Sequence, residues 1–118
     1  MEEIQKELEK LKFQMKLVGE SLSFEEHPIA NLVIEMDWGN EELNIAHDIF
    51  EIYDKQIEAD EEPNWHAFES EFKSKLGLDY QMLKLVILAF FRNFQWTRVC
   101  EVYAKANECM EFHSITRS

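Results

Sequence analysis

Apolar residues in this chain recur every three or four positions, and nowhere do they alternate with polar ones long enough to suggest a half-buried strand. That period gathers side chains on one face of an α-helix, so the spacing predicts an all-α protein. Only three glycines and two prolines interrupt 118 residues, and they fall between the periodic segments, where helices stop or start. The expected architecture is a compact bundle of about five helices with a coiled-coil-like helix at its N-terminus. Residues 1–22 are expected to form a heptad helix serving oligomerisation, residues 23–110 the helical bundle, and residues 111–118 a flexible tail.

The first helix, from about Glu2 to Gly19, carries the sharpest pattern. Ile4, Leu8, Leu11, Met15, Val18 and Leu22 recur at spacings 4-3-4-3-4, the seam of a coiled coil. With Leu8 at position a, Glu7 sits at g and Lys12 at the following e, the pair that bridges two parallel strands. Leu at a with Ile or Leu at d does not select a dimer, which leaves trimers and tetramers open. Phe13 and Leu17 form a second apolar stripe on another face. These two are expected to turn inward, leaving the six seam residues as an interface with further copies of the chain.

Four more helices follow, the last of them broken in two at Asn93. Ser23–Glu26 has capping-box form, while Pro28 favours the first helical position of a helix over about His27–Trp38 that buries Ile29, Leu32, Val33 and Met36. Gly39 is expected to end it in the left-handed conformation and Asn40 to cap the next helix. That helix, about Glu41–Ala59, turns Leu43, Ala46, Ile49, Phe50, Tyr53 and Ile57 inward and Glu41, Asp48, Glu51 and Glu58 outward. After the loop Asp60–Pro63, a helix beginning past Asn64 buries Trp65, Phe68, Phe72 and Leu76 before Gly77 stops it. Asp79 caps a helix apolar at nine of ten positions from Met82 to Phe91, expected to be central; a buried strand is the rival reading. Asn93 breaks it. A last helix runs from Gln95 to about Cys109 with Trp96, Val99, Val102, Tyr103 and Ala106 inward.

This order of elements, with Glu26-His27-Pro28 opening the second helix, Leu78-Asp79 starting the apolar one and a break before Phe94-Gln95, resembles the YhaI-type domain-of-unknown-function family over about residues 1–108. The resemblance implies an all-helical, oligomeric protein and carries no catalytic residue. Asn93 stands where that pattern leads one to expect glycine. Small acidic proteins of this kind are often phage-encoded.

Charge narrows the partners. Residues 35–71 hold 13 acids and one base, Lys55, while residues 1–34 sum to −3 and 72–118 to +3, so the middle third carries the whole net charge of −12. Such a surface repels a phosphate backbone, which argues against nucleic acid. It suits a basic protein partner, met by Glu41, Asp48, Glu51, Glu58, Asp60, Glu61 and Glu62. Cys100 and Cys109 make no disulfide framework, the N-terminus lacks the plan of a secretion signal, and the longest apolar run is too short to span a bilayer. A cytoplasmic setting without membrane contact is expected.

Catalytic patterns are absent from the sequence. Its three glycines are isolated, so no phosphate loop can form, and none of its four histidines has a glutamate or a second histidine at metal-ligand spacing. Cys109 and His113 could supply two ligands at most. No metal, cofactor or catalytic residue is expected. The sequence points to a non-enzymatic protein-protein interaction module that is acidic and homo-oligomeric. A narrower alternative is an acidic inhibitor or antitoxin-like regulator that covers the basic nucleic-acid-binding surface of a host enzyme.

Overall fold

The computed structural model describes residues 1–21 and 26–117, and every regular element among them is helical. The helices are α1 (Glu2–Ser21), α2 (Pro28–Met36), α3 (Asn40–Glu58), α4 (Trp65–Leu76), α5 (Tyr80–Arg92) and α6 (Thr97–Ala106). A 3-10 turn at Met110–Phe112 leads into a short α7 (His113–Thr116). The described count is therefore seven α-helices rather than about five. The increase comes from the break at residue 93 and from a C-terminal segment that does not fray.

That segment is a correction to the expected flexible tail. Phe112 and Ile115 are buried in the common core, and the Phe112 ring lies 5.9 Å from Tyr103. Phe112 and Ile115 stand three residues apart where the 3-10 turn runs into α7, a segment too short to show a helical period in the sequence.

Local signals set three of the helix starts. The Asp79 carboxylate accepts the Met82 N–H at 2.8 Å and the Asn64 side chain accepts the Ala67 N–H at 3.1 Å, each satisfying an orphan donor of a first turn. Pro28 takes the first position of α2. The ends are less obedient. Asp37, not Gly39, takes the left-handed conformation that closes α2 (φ 56), while Gly39 is extended and precedes α3. Aspartate tolerates that region better than most residues, and the Trp38 N–H reaching Val33 O at 3.0 Å completes the cap. At the α5–α6 corner Asn93 keeps a negative φ, and Phe94 (φ 58) and Trp96 (φ 53) go left-handed instead. The predicted final helix is correspondingly shorter at both ends. Ala106 faces solvent, and Cys100 and Ala104 take the buried positions.

The core lies among α2, α3, α4, α5, α6 and the C-terminal segment through α7. Phe50 of α3 meets Phe68 and Phe72 of α4 at 5.8 and 5.5 Å, Phe90 of α5 at 4.9 Å and Trp96 at 6.3 Å. The expected strand alternative for residues 82–91 is excluded, since α5 is helical, with Leu83 and Val86 through Phe90 buried. It is not wrapped on all sides, because Met82 and Leu85 remain exposed. The one charged residue of that run, Lys84, is buried; its Nζ lies 3.5 Å from Glu111 Oε2 and 4.6 Å over the Tyr80 ring.

Removing a fully enclosed aromatic costs about 3–5 kcal/mol, while trimming an exposed one changes stability by about 0.5 kcal/mol or less. Phe112→Ala is therefore expected to lower the urea midpoint sharply, and Phe94→Ala, at a side chain 89% exposed, to leave it nearly unchanged. Equal midpoints for wild type and Phe112→Ala would return residues 111–118 to a dispensable tail.

Candidate functional site

α1 is where the chain leaves most apolar surface open. A helix of 20 residues is about 30 Å long, and α2 is its principal neighbour. Its single buried residue is Gly19, where an added Cβ would come within 2.7 Å of the Ile34 side chain. Glycine is thus what lets the two helices approach closely at that point.

The seam residues Ile4, Leu8, Leu11, Met15 and Val18 are between 48% and 61% exposed. Leu22, the sixth, lies outside the described residues, as do Ser23, Phe24 and Glu25 of the expected capping box. Phe13 and Leu17 were expected to face the bundle. They do not: they are 62% and 49% exposed, so both apolar faces of α1 are uncovered. The reason is that α1 meets the body near its C-terminal end, by the strip that carries Gly19, rather than through the Phe13–Leu17 stripe.

Where α1 and α2 diverge they form a groove of about 650 Å3, floored by Leu8, Leu11, Met15, Val33, Ile34 and Trp38 and rimmed by Lys12, Lys16 and Asp37. A shallower trough of about 350 Å3 continues along the first half of α1, past Ile4, Gln5, Leu8 and Glu9. Sequence reasoning found the α1 wall of this groove through its heptads. It missed the α2 wall, because Val33 was assigned to the core, whereas it is only half-buried.

The acidic residues occupy a different part of the surface. Glu41, Asp48, Glu51, Glu58, Asp60, Glu61 and Glu62 are all exposed, the first four along the outer side of α3 and the last three in the turn beyond it. Basic residues already reach part of this face. Lys55 lies 3.3 Å from Glu51, and Arg98 of α6 holds Asp54 through two 3.0 Å bonds, with Glu58 at 3.8 Å.

One cleft, of about 310 Å3, brings a histidine and carboxylates together, with His66, Glu69 and Asp79 on its walls. His66 Nδ1 is 3.9 Å from Glu69, beyond hydrogen-bond reach, and its side chain is 93% exposed. The other Glu69 oxygen accepts the Tyr103 hydroxyl at 2.7 Å, and Asp79 caps α5. Glu69 and Asp79 are thus engaged in holding the fold together. Burial, and then the Glu69 carboxylate, push the Tyr103 hydroxyl far above its ordinary value.

His47, unremarkable in the sequence, accepts the Trp96 indole N–H at 3.0 Å on Nδ1 and meets the Phe90 ring edge-on at 5.2 Å. It ties α3 to the α5–α6 corner. Trp38, Trp65 and Trp96 are all half-buried lids packed on the core. Cys109 lies beyond α6, its thiol bonded to the Glu111 carboxylate, and no group of three His, Cys, Asp or Glu side chains able to hold a metal occurs among the described residues. No described helix is long and apolar enough to cross a membrane.

Comparison of the chain with protein-family models, with curated proteins and with solved structures gives no match.

Backbone N–H donation, the Cys109 thiol and the Lys84 ammonium together hold the Glu111 carboxyl below its ordinary value of 4.5. A depressed carboxylate adds stability above its unfolded value, and that stability is lost as pH falls through the lower folded value. Glu111→Gln is expected to melt earlier than wild type at pH 7 and to lose less of its melting temperature on acidification below about 4.5. Parallel melting curves across that range would mean that Glu111 adds nothing to the anchoring of α7.

Proposed function

We propose that this chain is a non-enzymatic protein-interaction module that assembles with further copies of itself through α1 and offers an acidic face to a basic protein. The observation that carries the reading is the uncovered state of α1, with five seam residues and two residues of the opposite stripe about half exposed. Large contiguous apolar patches are uncommon on monomers and mark contact surfaces. Covering the exposed half of one such side chain is worth about 1 kcal/mol, and these residues follow a heptad period that a second helix can match. A cytoplasmic setting, with both thiols reduced, and membership of the YhaI-type family belong to the same proposal.

Replacing Leu8, Leu11 and Met15 together with glutamate is expected to lower the assembly state in sedimentation experiments while leaving near-UV circular dichroism and the urea midpoint of the aromatic body unchanged, since none of the three is buried. Global unfolding of the variant at every concentration, or a wild type that sediments as a monomer at high concentration, would remove the proposal.

A second reading concerns the partner. The exposed Asp60, Glu61 and Glu62 extend the outer face of α3 into a continuous acidic surface, which favours a ligand rich in lysine and arginine, such as the nucleic-acid groove of a host enzyme covered by an inhibitory decoy. Long-range attraction of this kind speeds association and weakens steeply with salt. Reversing Asp48, Glu61 and Glu62 to lysine is expected to slow binding to the native partner at least about tenfold, about 1.4 kcal/mol, without changing self-association. Binding rates insensitive to both the reversals and added salt would reduce this face to a solvated surface.

A further inference from the structure

We infer that the groove between α1 and α2 seats the first half of α1 from a second copy, lying antiparallel. This rests on the self-association proposed above and specifies its geometry. The argument begins with charge. Residues 1–9 carry Glu2, Glu3, Glu7 and Glu9 against Lys6, a balance of −3, whereas residues 10–19 carry Lys10, Lys12 and Lys16 with no acid, a balance of +3. The helix dipole favours acids in the first turn and bases in the last, but its influence fades within those turns. Glu7, Glu9, Lys10 and Lys12 stand in the middle of the helix, where the dipole gives no reason for the division.

The structure gives the two halves different surroundings. The basic half forms the groove with α2, where Lys12 and Lys16 stand on the rim above Val33 and Ile34. The trough along the acidic half is lined by α1 and the residue before it, with no wall from another helix. One half is shaped as a receptor and the other as a ligand of opposite charge. A two-fold axis across the helix uses both halves of both copies at once and closes the assembly as a dimer.

The heptad register agrees. In an antiparallel pair centred between Glu9 and Lys10, Ile4 faces Met15 and Leu8 faces Leu11 of the second copy, so each layer joins an a residue to a d residue. In that register Glu9 stands beside Lys12 and Glu7 beside Lys10 of the other copy, each about 3 Å out of level along the axis. A parallel pair retains the Glu7–Lys12 bridge but brings Lys10, Lys12 and Lys16 level with their own counterparts. Opposite charges across the seam fix orientation as well as partner.

Disulfide trapping tests the direction. Ile4→Cys and Met15→Cys are prepared in a Cys109→Ser background, where the remaining Cys100 is buried, and folding is checked by circular dichroism. After oxidation with copper-phenanthroline in air, the equimolar mixture is expected to give a covalent dimer on a non-reducing gel and each variant alone to give little. Ready cross-linking of Ile4→Cys by itself would show a parallel pair, overturning this inference while leaving self-association intact. Failure of every combination to cross-link, with a monomer in sedimentation at high concentration, would remove both. Lys16→Glu, on the groove rim and away from the core, is expected to weaken dimerisation at least about tenfold. An unchanged dissociation constant would exclude the groove as the seat.

Discussion

Phe50 places its ring within 4.9 to 6.3 Å of aromatic rings from α4, α5 and the corner before α6, so one side chain of α3 touches most of the elements that make the body. The rings of Phe68, Phe72 and Phe90 meet it edge-on or tilted, the geometry that aromatic quadrupoles favour. Fully buried alanines at 46, 89 and 104 let neighbouring backbones approach around that bulk. The sharp α5–α6 corner follows from the same requirement. Trp96 must lie nearly parallel to Phe50 and donate to His47, and it does so with its own backbone left-handed, a conformation that costs about 1–2 kcal/mol in a residue other than glycine. Packing and the indole hydrogen bond offset that strain.

Much of this body was legible in the sequence because helical period, caps and breakers agree there. The Asn64 and Asp79 caps, the stop at Gly77, and the buried Ile49, Phe50, Phe68 and Phe72 follow from local rules and period alone. Misreadings occurred where a tertiary contact decides a local conformation. Asp37 and Phe94 are left-handed although glycine or asparagine stands close by in sequence, and Lys84 is buried where Glu111 comes to it from the C-terminal segment, beside the Tyr80 ring one turn back on α5. No single-residue preference carries that information. Phe13 and Leu17 were misplaced for the opposite reason. Periodicity identifies an apolar face but not which neighbour covers it, and here no part of the described chain does.

The uneven charge of the sequence is partly reconciled by the fold. From the basic final third, Arg98 reaches Asp54 and Glu58 on α3, and Lys75 pairs with Glu71 of the acidic middle at 3.2 Å. Exposed pairs of this sort contribute little individually, so they do not explain the body's stability. Their effect is on the surface. They offset part of the charge of α3 on the side facing α6, while Glu41, Asp48 and the acids of the turn at residues 60–62 stay exposed, on a part of the chain separate from the mixed charges of α1.

That separation has a thermodynamic consequence. An isolated helix of this length is marginal in water, and α1 gains little from the body, to which it contributes one buried glycine. Whatever covers its apolar faces therefore also supplies much of what keeps it helical, and by mass action α1 becomes more ordered as the concentration of that partner rises. The aromatic core does not share the dependence, because none of its rings comes from α1. Folding of the body and ordering of α1 are thus two transitions with different concentration dependence. The body presents its acidic face whether or not α1 is engaged, so the proposed partner binding on α3 and the proposed assembly through α1 are separable by substitution.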